Sequence, residues 1–430
     1  MGSLRDDLRG AGVEVVETHI SWVFIAEGEV WKVKKPVLFP FLDFSTAEKR
    51  KTACEAEVEL NRRLAPDAYR GVEPVTLDSS GCHRLGGSGA AVDWAVHMVR
   101  LLDVDRADVR LSDGRLTASD LSRIAERIAA FHRSARSDDR TASFGSVEAI
   151  ARNVRENLDQ GRAAACRYLG ETQADAIEAG QMGFLSDRSA AFEDRAEGGR
   201  VLEGHGDLRL DHIYLDSDSL HHDGPNDDRA IRILDCIEFN ERFRFLDVCS
   251  DVAFLSMDLA FHRRRDLAEH FLASYARASN DYDLYPLVGF YESYRAYVRG
   301  MVNGMLAEDG GAAVAVRKRR AEMARRYYQL ALASLAEPNP SHASTAAGQR
   351  ALPSVLLVVG GLVASGKTTM ADRVGFEVMA PVVSSDRTRK SLLGAEPKTS
   401  LTSAAWTDAY SSEMTEQVYE EVFRRARCVL

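Results

Sequence analysis

Two short acidic segments constrain this chain more than any other feature of its sequence. The first is the run His205-Gly206-Asp207-Leu208-Arg209, and the second is the apolar run Ile233-Leu234-Asp235. In phosphoryl transfer, one carboxylate accepts the proton of the attacking hydroxyl, and a second holds the magnesium that bridges the nucleotide phosphates. The order of Asp207 and Asp235, 28 positions apart, predicts a loop and a strand that supply these two carboxylates.

The first segment also carries a recognisable motif. His205-Gly206-Asp207 resembles the H-G-D motif of the aminoglycoside-phosphotransferase-like branch of the protein-kinase fold, whereas protein kinases carry H-R-D and D-F-G. The resemblance implies an α+β, two-lobed domain in which Asp207 and His205 are catalytic and Asp235 binds magnesium. The family places an Asn five residues after the catalytic Asp, and this chain has His212 there. Because magnesium prefers oxygen ligands, His212 is expected to bind it directly but weakly, to bind through water, or to leave one site empty.

A kinase-like N-lobe also needs a lysine for the phosphates. Two β-rich runs, residues 20–26 and 30–34, flank the turn Glu27-Gly28-Glu29 and predict a hairpin. Lys32 and Lys34 share one face of the second strand, because side chains alternate with period two. We favour Lys32, since its position after the turn resembles the third strand of the family, and Lys34 remains the alternative.

The partner of this lysine is expected on a helix over residues 53–64, where apolar residues recur at near-helical spacing. Glu57 best fits the family position, and Glu55 is the second choice. Residues 95–101 predict the strand and hinge between the two lobes, where the backbone near Met98 would meet the adenine. These residues complete a predicted nucleotide site.

A second phosphate-binding motif lies near the C-terminus. Residues 354–359 predict a buried strand, and the G-x-x-x-x-G-K-T motif after it is defined by Gly361, Gly366, Lys367 and Thr368. In such a loop, backbone N–H groups surround the phosphates, the lysine reaches the β and γ oxygens, and the threonine ligates magnesium. The strand–loop–helix context predicts a P-loop.

Residues 382–390 come after this motif and resemble the second strand and substrate loop of small P-loop kinases such as gluconate kinase, chloramphenicol phosphotransferase and zeta-toxin relatives. The resemblance implies that Asp386 lies in an acceptor site. A complete domain of this kind needs roughly 150 residues, and residues 353–430 supply about half that number. We therefore expect a P-loop domain that is truncated at its C-terminus, binds nucleotide poorly and does not catalyse.

These segments predict two domains. Residues 1–336 form the aminoglycoside-phosphotransferase-like kinase domain, with an N-lobe over about 1–98 and a C-lobe over about 99–336. Residues 337–352 are rich in small, polar and Pro residues and predict a linker. Residues 353–430 form the incomplete α/β P-loop domain.

The composition agrees with a cytoplasmic enzyme. The net charge of −10 argues against a nucleic-acid partner, the six cysteines lack C-x-x-C spacing, and no apolar run could cross a bilayer. The sequence thus predicts an ATP- and Mg²⁺-dependent phosphotransferase acting on a hydroxyl of a small molecule, and it leaves the acceptor and the oligomeric state open. Two alternatives remain: a nucleotide-binding regulatory module whose metal ligation is weakened at His212, and a protein kinase or toxin-like phosphorylating enzyme.

Overall fold

The computed structural model describes residues 4–10, 12–39, 42–87, 89–216, 230–335, 355–362, 365–395, 399, 401 and 408–430. The predicted linker, residues 337–352, lies outside this set. The chain divides into two compact units. The first comprises Met1–Thr117, Ser134–Phe144 and Gly199–Asp247, and the second comprises Ala118–Arg133, Gly145–Gly198 and Val248–Leu430.

The elements are numbered here in chain order. The strands are β1 (Glu14–Glu17), β2 (Ser21–Ile25), β3 (Glu29–Lys34), β4 (Leu38–Phe39), β5 (Leu42–Asp43), β6 (Tyr69–Leu77), β7 (His83–Leu85), β8 (Ala91–Val99), β9 (Val201–Glu203), β10 (Ile213–Leu215), β11 (Ile231–Ile233) and β12 (Phe245–Asp247). The helices are α1 (Leu4–Leu8), α2 (Ala47–Asn61), α3 (Ala107–Ser112), α4 (Ala118–Ser134), α5 (Asp139–Ala142), α6 (Val147–Leu169), α7 (Glu171–Asp187), α8 (Ser189–Glu197), α9 (Glu241–Arg244), α10 (Val248–Phe261), α11 (Arg265–Ser279), α12 (Tyr285–Glu308), α13 (Val314–Leu335), α14 (Lys367–Glu377), α15 (Ser385–Leu392) and α16 (Ser412–Val429).

The first unit is built on an antiparallel sheet with the strand order β1-β2-β3-β8-β6-β7. The predicted hairpin is confirmed as β2 and β3, which pair with Ile25 opposite Val30. The predicted hinge strand is the C-terminal part of β8, which begins earlier than expected and ends at Val99. Because β8 pairs with β3, the hinge strand lies beside the strand that carries the two lysines.

Each face of this sheet has its own core. On one face α2 packs through Cys54 and Val58 against Tyr69 and Val96. The other face buries Phe24, Val33, Val75 and Ala95, with Leu4 and Leu8 of α1 against them. Side chains alternate along a strand, so Val33 points away from α2 while its two neighbours, both lysines, point toward it.

The two acidic segments lie in the same unit, on short antiparallel pairs. β9 pairs with β12, and β10 pairs with β11 as an antiparallel hairpin. Asp207 lies on the loop between β9 and β10. Asp235 closely follows β11, so the hairpin brings the two acidic segments side by side.

The second unit is helical in the part that the structure describes. In α4, Leu121, Ile124 and Ile128 recur at helical spacing, and all three are buried on one face of the helix. The helices α6, α12 and α13 pack closely where glycines allow it. A Cβ atom on Gly161 would lie 2.8 Å from the ring of Tyr297, so only glycine fits at this contact. No helix among the described residues is long and apolar enough to cross a membrane.

The predicted strand before the second phosphate motif is wrong for the residues described. Residues 355–359 pair with no other described segment, and Val355 and Val358 are 75% and 79% exposed. An apolar run becomes a buried strand only when a neighbouring strand accepts its backbone hydrogen bonds. The helices after it instead pack within the second unit, where the Tyr282 hydroxyl donates to the Val382 carbonyl at 2.7 Å and Arg277 pairs with Asp372 at 2.7 Å.

Candidate active site

The site in the first unit begins with a chain of ion pairs between β3 and α2. Lys32 Nζ lies 3.0 Å from Glu57 Oε1 and 2.6 Å from Asp235 Oδ1. Lys34 Nζ lies 2.7 Å from Glu57 Oε2 and also bonds Glu238. Both candidate lysines therefore contact the predicted glutamate, one through each of its oxygens. The alternative, Glu55, is exposed and faces Lys51 at 3.7 Å.

The two lysines differ in exposure. The side chain of Lys34 is 0% exposed and that of Lys32 is 14% exposed. Burial alone would lower the pKa of each ammonium, but the neighbouring carboxylates outweigh it and raise both pKa values. Both side chains therefore stay charged, and Lys32 has the side chain with access to solvent.

Glu57 is held ionised by these two lysines. Burial acts to raise the pKa of Glu57, but the charges of Lys32 and Lys34 outweigh it and leave that pKa lowered. Removing one partner from a buried ion pair typically costs about 3–5 kcal/mol, because the other charge is left buried and uncompensated. The pairs of Glu57 thus fix α2 against β3.

The loop that carries Asp207 depends on a glycine. Gly206 has φ +87°, and a Cβ atom there would lie 2.6 Å from the Phe243 carbonyl oxygen, so no other residue fits. The neighbouring His205 is buried and uses its ring nitrogens on the backbone. Its Nε2 donates to the Leu234 carbonyl at 2.9 Å, and its Nδ1 accepts from the Asp207 N–H at 3.2 Å. His205 therefore joins the loop of Asp207 to the segment of Asp235.

Arg209 organises the same loop. Its guanidinium donates to both carboxylate oxygens of Asp207, at 3.0 and 3.2 Å, and to Asp211 Oδ2 at 2.8 Å. A carboxylate has about four lone-pair positions, so Asp207 can accept a further hydrogen bond from a hydroxyl. The two-point contact fixes the plane of this carboxylate.

His212 lies between Asp207, the predicted catalytic acid, and Asp235, the predicted metal ligand. Its Nδ1 is 3.7 Å from Asp207 Oδ2, and its Nε2 is 3.7 Å from Asp235 Oδ2. Arg209 donates to Nε2 at 2.8 Å, and Nδ1 lies 2.8 Å from the Asp207 carbonyl oxygen. An arginine can only donate and a carbonyl can only accept, so these bonds assign the proton to Nδ1 and the lone pair of Nε2 to Arg209. In this arrangement His212 offers no lone pair to a metal ion.

Asp235 is the acid best placed to reach a ligand. Its backbone has φ +66°, in the left-handed region that Asp tolerates better than most residues, and its side chain is 48% exposed. The positive charge of the Lys32 ammonium holds the pKa of Asp235 well below its usual range. Asp235 is therefore ionised at neutral pH, and part of its carboxylate is accessible to a ligand.

A magnesium ion at this site would depend on carboxylate ligands. No group of three or more His, Cys, Asp or Glu side chains in the described part of the chain could hold a metal ion by itself. Magnesium in kinase sites commonly binds one or two carboxylates and completes its shell with water and substrate phosphates. The exposed carboxylate of Asp235 fits that role, and the nitrogen of His212 does not.

The predicted adenine region lies next to these charges. Met98 stands opposite Val30 of β3 and opposite Tyr69 of β6 in the sheet register. It is partly buried and packs against the apolar cluster under α2. Met98 and Val30 therefore provide apolar side chains on β8 and β3, close to Lys32.

The second phosphate motif lies in the other unit. Gly366, at φ +79°, caps the N-terminus of α14, and the helix begins at Lys367. Lys367 Nζ donates to the Leu362 carbonyl, while Gly361 and Thr368 are exposed. Asp386 lies on α15, where it pairs with Lys390 at 2.8 Å. The helix that the motif predicts is present from Lys367, while residues 363 and 364 of the predicted loop lie outside the described residues.

Two residues of the first site were missed by the reasoning from sequence. Glu238 follows Asp235 by three positions, and a second acid so close to the first was a usable signal once two lysines had been placed on one strand face. Arg209 lies two positions after Asp207 and could have been read as its partner. Both contacts depend on side-chain directions in loops, which spacing does not determine.

Comparisons with known proteins give relatives and structural neighbours. No family model matches the chain. Among solved structures, a glucosamine kinase bound to glucosamine, ADP and inorganic phosphate is similar over 75% of this chain and 75% of its own, with 14% identity and a TM-score of 0.40. A choline/ethanolamine kinase family protein from Mesorhizobium loti covers 75% and 92%, with 11% identity and a TM-score of 0.37. A Plasmodium vivax ethanolamine kinase covers 76% and 82%, with 10% identity and a TM-score of 0.40.

Sequence relatives extend over nearly the whole chain. The Mycobacterium tuberculosis (strain H37Rv) protein Rv2004c and the Mycobacterium bovis protein Mb2027c are each 34% identical to it over 421 residues. The alignment covers 97% of this chain and 76% of each relative. At this identity and coverage, the chain belongs to the same protein family as Rv2004c and Mb2027c.

Proposed function

We propose that this protein is an ATP- and magnesium-dependent kinase that phosphorylates a hydroxyl group of a small molecule, in an aminoglycoside-phosphotransferase-like domain. One observation carries the proposal. His212 lies 3.7 Å from a carboxylate oxygen of Asp207 and 3.7 Å from one of Asp235, while Asp235 contacts Lys32. These contacts support the proposal because they bring together the three side chains to which it assigns the roles of base, metal ligand and phosphate-binding group, the groups that phosphoryl transfer requires.

Each of these residues has a role in the proposal. Asp207 orients the acceptor hydroxyl and takes its proton, and Arg209 holds the carboxylate in place for this step. Lys32 binds the nucleotide phosphates, because it is the lysine with access to solvent, and Glu57 holds its ammonium. Asp235 would ligate magnesium, which when bound neutralises charge on the phosphates. His205 joins the two acidic segments, and His212 spaces their carboxylates apart.

The second phosphate motif is proposed as a separate and weaker nucleotide site. Gly366 and Lys367 start a helix whose first N–H groups are suited to phosphate. The apolar run before it is exposed, so no packed strand among the described residues holds the loop in position. We therefore assign the chemistry to the site of Asp207.

The regulatory alternative rests on one specific observation. The Nε2 lone pair of His212 accepts from Arg209 at 2.8 Å, at the position where the resembling family has a metal-binding Asn. A domain with a single metal-binding carboxylate could bind nucleotide and turn it over slowly or not at all. Turnover separates this alternative from the kinase.

The deciding experiment measures magnesium-dependent ATP turnover, alone and with a panel of amino sugars and amino alcohols as acceptors. The intact chain is compared with Asp207→Asn and Lys367→Ala, and with Asp103→Asn as a control on an acid whose side chain is 77% exposed. Loss of a general base typically lowers the rate by about 10²–10⁴-fold. A collapse in Asp207→Asn, with turnover retained in the other two variants, supports the kinase. Turnover that does not depend on Asp207 contradicts it.

A further inference from the structure

The second lysine of β3 has no place in the proposed transfer reaction, yet it is the more deeply buried of the two. Its side chain is 0% exposed, with its ammonium also 5.0 Å from the ring centroid of Phe44. A lysine so enclosed cannot reach a nucleotide phosphate. Burying an ammonium is costly unless its partners compensate, so its contacts indicate what it does.

The first of those contacts is with Glu57, whose two carboxylate oxygens bind different lysines. Oε2 accepts from Lys34 at 2.7 Å, and Oε1 accepts from Lys32 at 3.0 Å. A carboxylate held at one oxygen can rotate about its last bond, whereas one held at both cannot. Lys34 therefore determines where Glu57 presents the oxygen that Lys32 uses.

The second contact ties Lys34 to the segment that carries Asp235. Glu238 accepts from Lys34, and its side chain is buried. The same segment is anchored through its backbone: the Cys236 N–H donates to Asn61 Oδ1 of α2 at 2.9 Å, and Arg244 donates to the Ile237 carbonyl at 2.9 Å. Glu238 thus belongs to a short loop that is fixed against both β3 and α2.

Together these groups form an alternating line of charge: Asp235, Lys32, Glu57, Lys34, Glu238. Lys32 is the only lysine of the line with measurable exposure, at 14%, and it contacts two carboxylates. Lys34 holds Glu57 in place, because the Lys34–Glu57 ion pair does not depend on which group the Lys32 ammonium contacts. This separates an accessible end, at Lys32 and Asp235, from a buried end, at Lys34 and Glu238.

We propose that Lys34 and Glu238 are positioning residues for the phosphate-binding lysine: they hold the Glu57 carboxylate so that Lys32 is presented to the nucleotide. The inference rests on the proposed function, since it assigns Lys32 to the phosphates. Lys34 and Glu238 do not contact the nucleotide and affect its binding only through Glu57.

The test uses the double variant Lys34→Met/Glu238→Gln, which removes both charges together. Replacing a buried ion pair by neutral groups of similar size is often tolerated, whereas removing one partner is not. We expect folding to be retained, and the affinity for Mg-ADP in calorimetry and kcat/KM for ATP each to fall by roughly 10- to 100-fold, since a small misplacement of a binding group can cost that much.

A double-mutant cycle with Lys32→Met separates positioning from a general structural effect. If Lys34 and Glu238 act through Lys32, then Lys32→Met lowers Mg-ADP affinity strongly in the wild-type background and only slightly in the Lys34→Met/Glu238→Gln background. Additive losses, or a double variant whose affinity is within about twofold of the wild type, overturn the inference. If the double variant does not fold, Glu238→Gln is used in its place with the same criterion, because Lys34 keeps its ion pair with Glu57 in that variant and is not left uncompensated.

The outcomes also distinguish this inference from the proposed function. ATP turnover that depends on Asp207, together with an additive cycle, removes the positioning role and leaves the kinase intact. Turnover that ignores Asp207, together with a non-additive cycle in Mg-ADP binding, removes the kinase and leaves a nucleotide site organised by Lys34.

Discussion

Arg209 donates to both carboxylate oxygens of Asp207, through Nε at 3.0 Å and Nη2 at 3.2 Å. Such a two-point contact fixes orientation as well as charge, because the guanidinium plane and the carboxylate plane must coincide. The same guanidinium also donates to Nε2 of His212. The orientation of the proposed base and the tautomer of its neighbour are therefore set by one side chain.

This contact predicts a specific effect of Arg209→Lys. A lysine keeps the positive charge but loses the fork that fixes the carboxylate plane, so we expect kcat to fall by about tenfold or more while KM for ATP changes little. The measurement is steady-state kinetics over a range of ATP concentrations. Arg106→Lys is the matched control, since Arg106 grips Asp108 through Nε at 2.6 Å and Nη2 at 3.2 Å outside the proposed site. Equal losses in the two variants would contradict an orienting role.

Asp235 predicts the metal dependence. Because Asp235 is the exposed carboxylate beside Lys32, Asp235→Asn should raise the magnesium concentration needed for half-maximal ATP turnover by at least about tenfold. The measurement is a magnesium titration at saturating ATP. Asp67→Asn serves as the control, because Asp67 is an acid of the same unit that pairs with Arg232 at 2.8 Å. An unchanged magnesium requirement in Asp235→Asn would show that the metal is held elsewhere.

In the alternating line of charge, Glu57 and Glu238 should affect the pH dependence of stability in opposite directions. The pKa of Glu57 is lowered from 4.5, because its two lysines outweigh burial, so its contribution to stability is present above about pH 4.5 and is lost as the pH falls. The pKa of Glu238 is raised from 4.5 by burial and by the charge of Glu57, so its contribution grows on acidification. The free energy of unfolding, measured in urea from pH 7 to pH 4, should therefore depend less on pH in Glu57→Gln and more in Glu238→Gln. A shift of the same sign in both variants would contradict these assignments.

Strand periodicity and a family resemblance were sufficient to place part of this site. Alternation along β3 put Lys32 and Lys34 on one face, and the resemblance selected Glu57 on the predicted helix, which contacts both lysines in the structure. Exposure then separates the two lysines, and exposure depends on packing partners that are distant in sequence. The roles of these residues in binding and catalysis remain predictions.

Other parts of the site could not be derived in this way. Arg209 and Glu238 act through contacts in loops, where no period determines the direction of a side chain. The apolar run at residues 355–359 shows the opposite failure, because hydrophobicity predicted burial for a segment that pairs with no described strand. A hydrophobic run favours burial, but it forms a buried strand only when another segment packs and pairs with it.

The two proposed nucleotide sites should differ in affinity. Lys32 lies in a packed network, whereas Lys367 starts a helix behind an exposed apolar run and donates to the Leu362 carbonyl. A preorganised site binds more tightly than one that must order a loop, so the site of Lys32 should be the stronger. Calorimetry with Mg-ADP should show a tight event that is lost in Lys32→Met and a weak event that is lost in Lys367→Ala. Lys318→Ala, at an exposed lysine of α13, should retain both. A tight event that disappears in Lys367→Ala would instead place the main nucleotide site at the P-loop.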